Sequence, residues 1–75
     1  MKIVTIFHTP VGVFTTKESP VKSEEEMVEK INKFKELIKQ GASVEFDSDN
    51  GHFYIPETVL SHTVLQFVKY GYNFD

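Results

Sequence analysis

Ser23 to Gly41, SEEEMVEKINKFKELIKQG, is the stretch that decides the fold. Ser23 and Glu26 form the capping-box pair, in which each side chain satisfies a free backbone N–H of the first turn. Met27, Ile31, Phe34 and Ile38 follow at 4-3-4 spacing, with Val28 and Leu37 widening the stripe. Gly41 is the left-handed stop. The pattern predicts one amphipathic helix over residues 23–40. Glu24, Glu25 and Glu26 at its start and Lys39 near its end suit the helix dipole. Glu26–Lys30 and Glu29–Lys33 are spaced as i,i+4 ion pairs on a solvated face.

Strand-like sequence lies on both sides. Lys2 to Phe7 reads as a first strand, apolar on both faces through Ile3, Val4, Ile6 and Phe7. Thr9-Pro10-Val11-Gly12 is a turn, with Pro second and Gly fourth. Val13 to Thr16 returns as a second strand, paired with the first. Lys17 to Lys22 is a polar linker containing Pro20.

Beyond the helix, Ala42 to Asp47 alternates, with Ala42, Val44 and Phe46 on one side and Ser43, Glu45 and Asp47 on the other. Asn50-Gly51 is a hairpin signal because it accepts positive φ. His52 to Ile55 returns, and Phe46 shares a face with Phe53 and Ile55. Pro56 ends that strand. Thr63 to Tyr70 is rich in β-branched and aromatic residues and reads as a final strand. A second helix over residues 57–69 is the alternative. The fold class is α+β, a single domain over residues 1–75, in the order β-β-α-β-β-(short turn)-β. One small sheet is expected to hold residues 2–7 and the 42–47/52–55 hairpin.

Composition narrows the chemistry. The 75 residues carry a net charge of −3 and no cysteine, so neither a disulfide nor a thiolate metal site reinforces the core. All eight basic residues are lysines, without a basic stripe or an arginine to read bases, which argues against nucleic acid. No apolar run is long enough to span a bilayer. The expected location is cytoplasmic.

Motifs for catalysis and metals fail on register. Asp47-Ser48-Asp49-Asn50-Gly51 resembles the start of a calcium loop, but positions 6 and 12 hold His52 and Thr58 instead of Gly and Glu. His8, His52 and His62 lie on separate elements. If His52 pairs across the hairpin with Asp47 or Asp49, its charge is locally stabilised, a structural role. Ser61-His62 has no nucleophile elbow around it. Glycines 12, 41, 51 and 71 stand singly, so no phosphate loop is present. The reading is non-enzymatic, with no cofactor, no metal and no catalytic residue.

One helix covers one face of a small sheet, and the other face should then be polar. Here it is apolar. Val64, Leu65, Phe67, Val68, Tyr70, Tyr72 and Phe74 add to the surplus. A homo-oligomer is expected, and small domains often gain support in this way.

The strand starting at Met1-Lys2-Ile3, the Glu/Lys amphipathic helix and the hairpin ending in Ile55-Pro56 before Val59-Leu60 together give an outline. It resembles, over the whole chain, small accessory proteins encoded by bacteriophages, which are often acidic, cysteine-free and non-enzymatic. The resemblance implies an inhibitor or adaptor that binds and blocks a host protein in the host cytoplasm, or a protein that sequesters a small signalling molecule. In the first case Asp47, Asp49 and the Glu24–Glu26 cluster steer the partner, and Tyr70, Tyr72 and Phe74 anchor it. In the second, pockets between subunits hold a nucleotide-like ligand. Phe7 and His8, with Lys17 and Lys22, are the candidate contacts there, and Lys2 lies close by.

Overall fold

The computed structural model describes residues 1–70. It is α+β, with β1 Lys2–Thr9, β2 Gly12–Thr15, β3 Ser19–Pro20, α1 Glu24–Lys39, β4 Val44–Ser48, β5 Gly51–Ile55, α2 Glu57–Leu60 and β6 Val64–Tyr70.

Helix α1 forms where the capping and periodicity place it. Ser23 has extended backbone, and its hydroxyl accepts the Glu26 N–H at 3.2 Å. At the other end Gly41 takes φ 72°, its N–H bonds the Ile38 carbonyl, and the Ala42 N–H bonds the Leu37 carbonyl. That is the Schellman arrangement, which a residue with a Cβ adopts only at a cost. Met27, Ile31, Phe34 and Ile38 are half-buried, while Val28 and Leu37 stay exposed. The covered stripe is therefore narrower than the sequence pattern. Neither i,i+4 ion pair closes. Lys30 donates instead to Ser19 Oγ at 3.3 Å, and Glu24 pairs with Lys69 of β6 at 2.6 Å.

Two ladders form rather than one. β6 lies antiparallel along β1 from Lys2–Tyr70 to His8–Val64. β2 pairs with Ile6–Thr9 and β3 with Lys2 and Ile3. Since β6 takes one whole edge, β2 and β3 share the other. Ile6 faces Thr15 and Ile3 faces Ser19. Between those pairs β1 has two residues and the returning chain has three. Thr16 stays in register, its N–H bonded to the Thr5 carbonyl. Lys17 and Glu18 together oppose Val4, which makes a β-bulge. The polar linker read from Lys17–Lys22 is thus largely a continuation of the second strand.

The expectation that the 42–55 hairpin joins the sheet of β1 is corrected: β4 and β5 pair only with each other, because their apolar face, Phe46 and Phe53, covers Phe7 and Phe14 of the larger sheet instead of lengthening it. Their turn residues are Asp49 and Asn50, and positive φ falls on Gly51 alone. Phe46 faces Phe53, as the alternation requires. The hairpin packs face-on against the larger sheet through aromatic rings. The Lys17 N–H, which points away from β1 because the preceding Thr16 N–H points toward it, bonds the Asp47 carbonyl at 3.4 Å.

The core is an aromatic chain. Phe67, Phe34, Phe7, Phe46, Phe53 and Phe14 touch in that order, with ring centroids 5.8, 6.2, 4.8, 5.7 and 5.0 Å apart. One ring comes from each of β6, α1, β1, β4, β5 and β2. Phe7 and Leu60 are fully buried, and Ile55 joins them. Residues 57–69 do not form one helix. α2 stops after Leu60, the Thr63 hydroxyl bonds back to the Val59 carbonyl, and the β-branched run from Val64 pairs with β1.

Candidate functional site

Strand alternation sorts the residues of β1 onto two faces. Ile3, Thr5 and Phe7, with Phe14, Leu65 and Phe67 beside them, look toward α1 and the hairpin. Val4 and Ile6 look the other way, beside Val13, Thr15, Val64, Gln66 and Val68. Among the described residues no helix or strand packs over this second face. Val13 is 62% exposed and Val64 67%, whereas Val4 at the centre of the strand is 7% exposed. The result is a β-branched centre with a polar border. His8 lies on that border, its Nε2 2.8 Å from Gln66 Oε1. Asp49, at the hairpin tip, stands beside Thr15, Val4 and Ile6.

The outer side of the hairpin carries a charged cluster. His52 Nδ1 is 2.7 Å from Asp47 Oδ1, and its Nε2 is 3.2 Å from Glu45 Oε1. The bond to Asp47, then the bond to Glu45, raises the His52 pKa above its ordinary value. The same bond, and the charge of His52, lower the Asp47 carboxyl. Asp47 is one of the two cross-hairpin partners weighed from the sequence, Glu45 was not weighed, and all three side chains are exposed.

The other candidates scatter. Tyr70 closes β6 opposite Lys2. Tyr72 and Phe74 lie outside the described residues. Phe7, read as a candidate ligand contact, is instead the centre of the core, so its ring is closed to any ligand of the folded chain. His8 is on the open face and Lys22 is exposed just ahead of α1. Lys17 alone of that set lines a cleft, between the bulge and α1, together with Lys30, Lys33 and Leu37. Those three helix residues escaped the sequence reading. Their 30, 33 and 37 spacing, one flank of the helix, was the signal available.

His62 follows α2, and the Ser61 hydroxyl donates to the Thr58 carbonyl rather than to a base. Among the described residues no three His, Cys, Asp or Glu side chains are grouped to hold a metal ion. Among them, too, no helix is long and apolar enough to cross a membrane. The chain matches no protein-family model, and neither a curated protein nor a solved structure is significantly similar to it.

Proposed function

We propose that the chain is a non-enzymatic binding protein, an inhibitor or adaptor, that assembles with a second copy of itself through the open face of its larger sheet. One observation carries this reading. Val13 and Val64 stand exposed on the face they share with the less accessible Ile6, Val68 and Val4, and no described helix or strand packs over that face. A face of this kind on a small soluble domain marks an association surface. Two sheets can stack face to face about 10 Å apart with such side chains between them. A two-fold axis would make the face self-complementary.

The Glu45–Asp47 side of the hairpin lies away from that contact, with Asp49 at its edge, and is the surface offered to a macromolecular partner. Asp49 at its tip and the exposed Glu45–Asp47 pair give a negative rim suited to steering a basic protein surface. The bacteriophage-like outline is consistent with a host protein as that partner.

Light scattering across a micromolar dilution series tests the assembly. A constant mass of one chain, 8.6 kDa, overturns it. The partner is sought by mass spectrometry of what co-purifies. Charge reversal at Asp47 and Asp49 should then slow association with it and flatten the salt dependence. Unchanged kinetics would remove the hairpin from the binding surface.

A further inference from the structure

The cleft beside the bulge has a composition that the assembly reading does not use. It measures about 590 Å³ and lies between α1 and the inner face of the larger sheet. That size falls within the roughly 300–1,000 Å³ of small-molecule sites. It exists because the inner face of β1 carries a threonine where a larger apolar side chain would meet the helix. Thr5, Thr16 and Ser19 make a floor of hydroxyl residues, between the aromatic core on one side and Ile3 on the other. Thr5 is the one buried polar residue of the described chain, and its N–H takes the Thr16 hydroxyl as acceptor at 3.1 Å. The walls are Phe34, Leu37 and Phe67.

The charges around this cleft run against the acidity of the whole chain. Lys17, Lys30 and Lys33 line it, with Glu18 and Asp47 as the acids. Each acid has another partner: Glu18 pairs with Lys2 at 3.3 Å, and Asp47 bonds His52 at 2.7 Å, with Lys17 a lesser influence on the Asp47 carboxyl. Lys30 bonds only a neutral hydroxyl, Ser19 Oγ, and neither Lys17 nor Lys33 makes an ion pair with a described residue. Lys17 stands at the edge of the sheet, its N–H bonded to the Asp47 carbonyl, and lines the cleft from there.

We infer that the cleft binds a small organic phosphate with an apolar body, the phosphate among Lys17, Lys30 and Lys33 and the body against Phe34, Leu37 and Phe67. Three lysines suit a multiply charged group better than a single carboxylate, because each ammonium acts as a point charge that needs no bidentate geometry. The two rings and Leu37 offer the apolar contact that inorganic phosphate would not use. A nucleotide and a lipid phosphate share this chemistry. The site lies within one subunit, so it stands whether or not the chain self-associates.

The test is two-dimensional NMR titration of the full chain with AMP, octyl phosphate, inorganic phosphate and octanol. At least one of the two organic phosphates should shift the amides of Thr5, Thr16, Lys17, Phe34 and Leu37 saturably. Inorganic phosphate and octanol should bind at least about tenfold more weakly, since each lacks half of the recognised chemistry. AMP alone would assign a nucleotide, octyl phosphate alone a lipid phosphate. The double variant Lys30→Gln/Lys33→Gln should lose about tenfold or more in affinity while keeping the free protein's amide spectrum. Leu37→Glu, at an exposed position, should abolish binding without unfolding the chain. No saturable shift with either organic phosphate overturns the proposal. So does inorganic phosphate binding as tightly as they do, which would mean diffuse attraction to surface lysines.

Discussion

The ring of Phe7 lies flat against the ring of Phe46, their planes 5° apart and their centroids 4.8 Å apart. That stack is where the larger sheet meets the hairpin. Phe34 approaches Phe7 on edge at 72°, so Phe7 is stacked by one element and capped by another. Such pairs contribute about 0.5–1.5 kcal/mol beyond the area they bury.

Phe7→Ala should therefore destabilise the protein by about 3–5 kcal/mol, the range for a fully buried aromatic. Phe34→Ala should cost less, because its ring is only half-buried. Urea denaturation measures both. A Phe7→Ala loss below about 1 kcal/mol would contradict the burial assigned to this ring.

Phe67 and Val68 are neighbours in sequence and lie on opposite faces. Val68→Asp should shift the protein to monomer and leave its circular dichroism spectrum unchanged. Phe67→Asp should unfold it, since that ring packs on Phe34. Light scattering with circular dichroism separates the two. Association that survives Val68→Asp would move the contact off the open face.

The His52 imidazole should titrate above the ordinary histidine pKa of about 6.5, since Asp47 and Glu45 both favour its charged form. The sign follows directly. The pairing contributes stability fully below the unfolded pKa, and the contribution fades as pH rises through the folded one. Asp47→Asn should bring the midpoint down toward the ordinary value, because the largest cause of the shift is removed. NMR titration of the imidazole protons reads this. An unchanged midpoint in Asp47→Asn would exclude the 2.7 Å contact in solution.

Gly41→Ala should cost about 1–2 kcal/mol, the penalty for a Cβ in the left-handed region. Nothing lies within 4 Å of the added methyl, so the cost is conformational and not steric. Thermal unfolding checks it. No loss would mean that the Schellman end of α1 refolds into another turn.

The elements were legible where local chemistry is self-contained. Ser23, Gly41 and the 4-3-4 stripe define α1 without reference to the rest of the chain. The same holds for the alternation around Phe46 and Phe53, which fixes the hairpin register for a loop of two or four residues. The hairpin's place was not legible. Its alternation suits both a strand pair that extends the sheet and one that covers its face, and only the tertiary arrangement decides between them. Phe7 illustrates the limit for sites. An apolar residue in a strand that is greasy on both sides carries no mark of which face looks inward. Lys30 and Lys33 were visible as charges but were assigned to acids on their own helix, because the competing hydroxyl of Ser19 lies in a segment that reads as linker.

The bulge at Lys17 and Glu18 bears on how this chain tolerates evolutionary change in length. Both residues are exposed, and neither belongs to the core. Substitution at either should cost the fold little. A one-residue deletion there is different. It would restore an unbroken ladder, with Thr16 still opposite Thr5 and Ser19 still opposite Ile3. The strand order would survive, and the one residue left opposite Val4 would still turn its N–H away from β1, but without the bend of the bulge that N–H would no longer be aimed at the Asp47 carbonyl. Among the described residues that N–H is the one main-chain bond between the larger sheet and the hairpin. The hairpin would then hang on its aromatic contacts and its connecting segments alone. In a lineage of such chains, the residue count at this point would be held more tightly than the residues themselves.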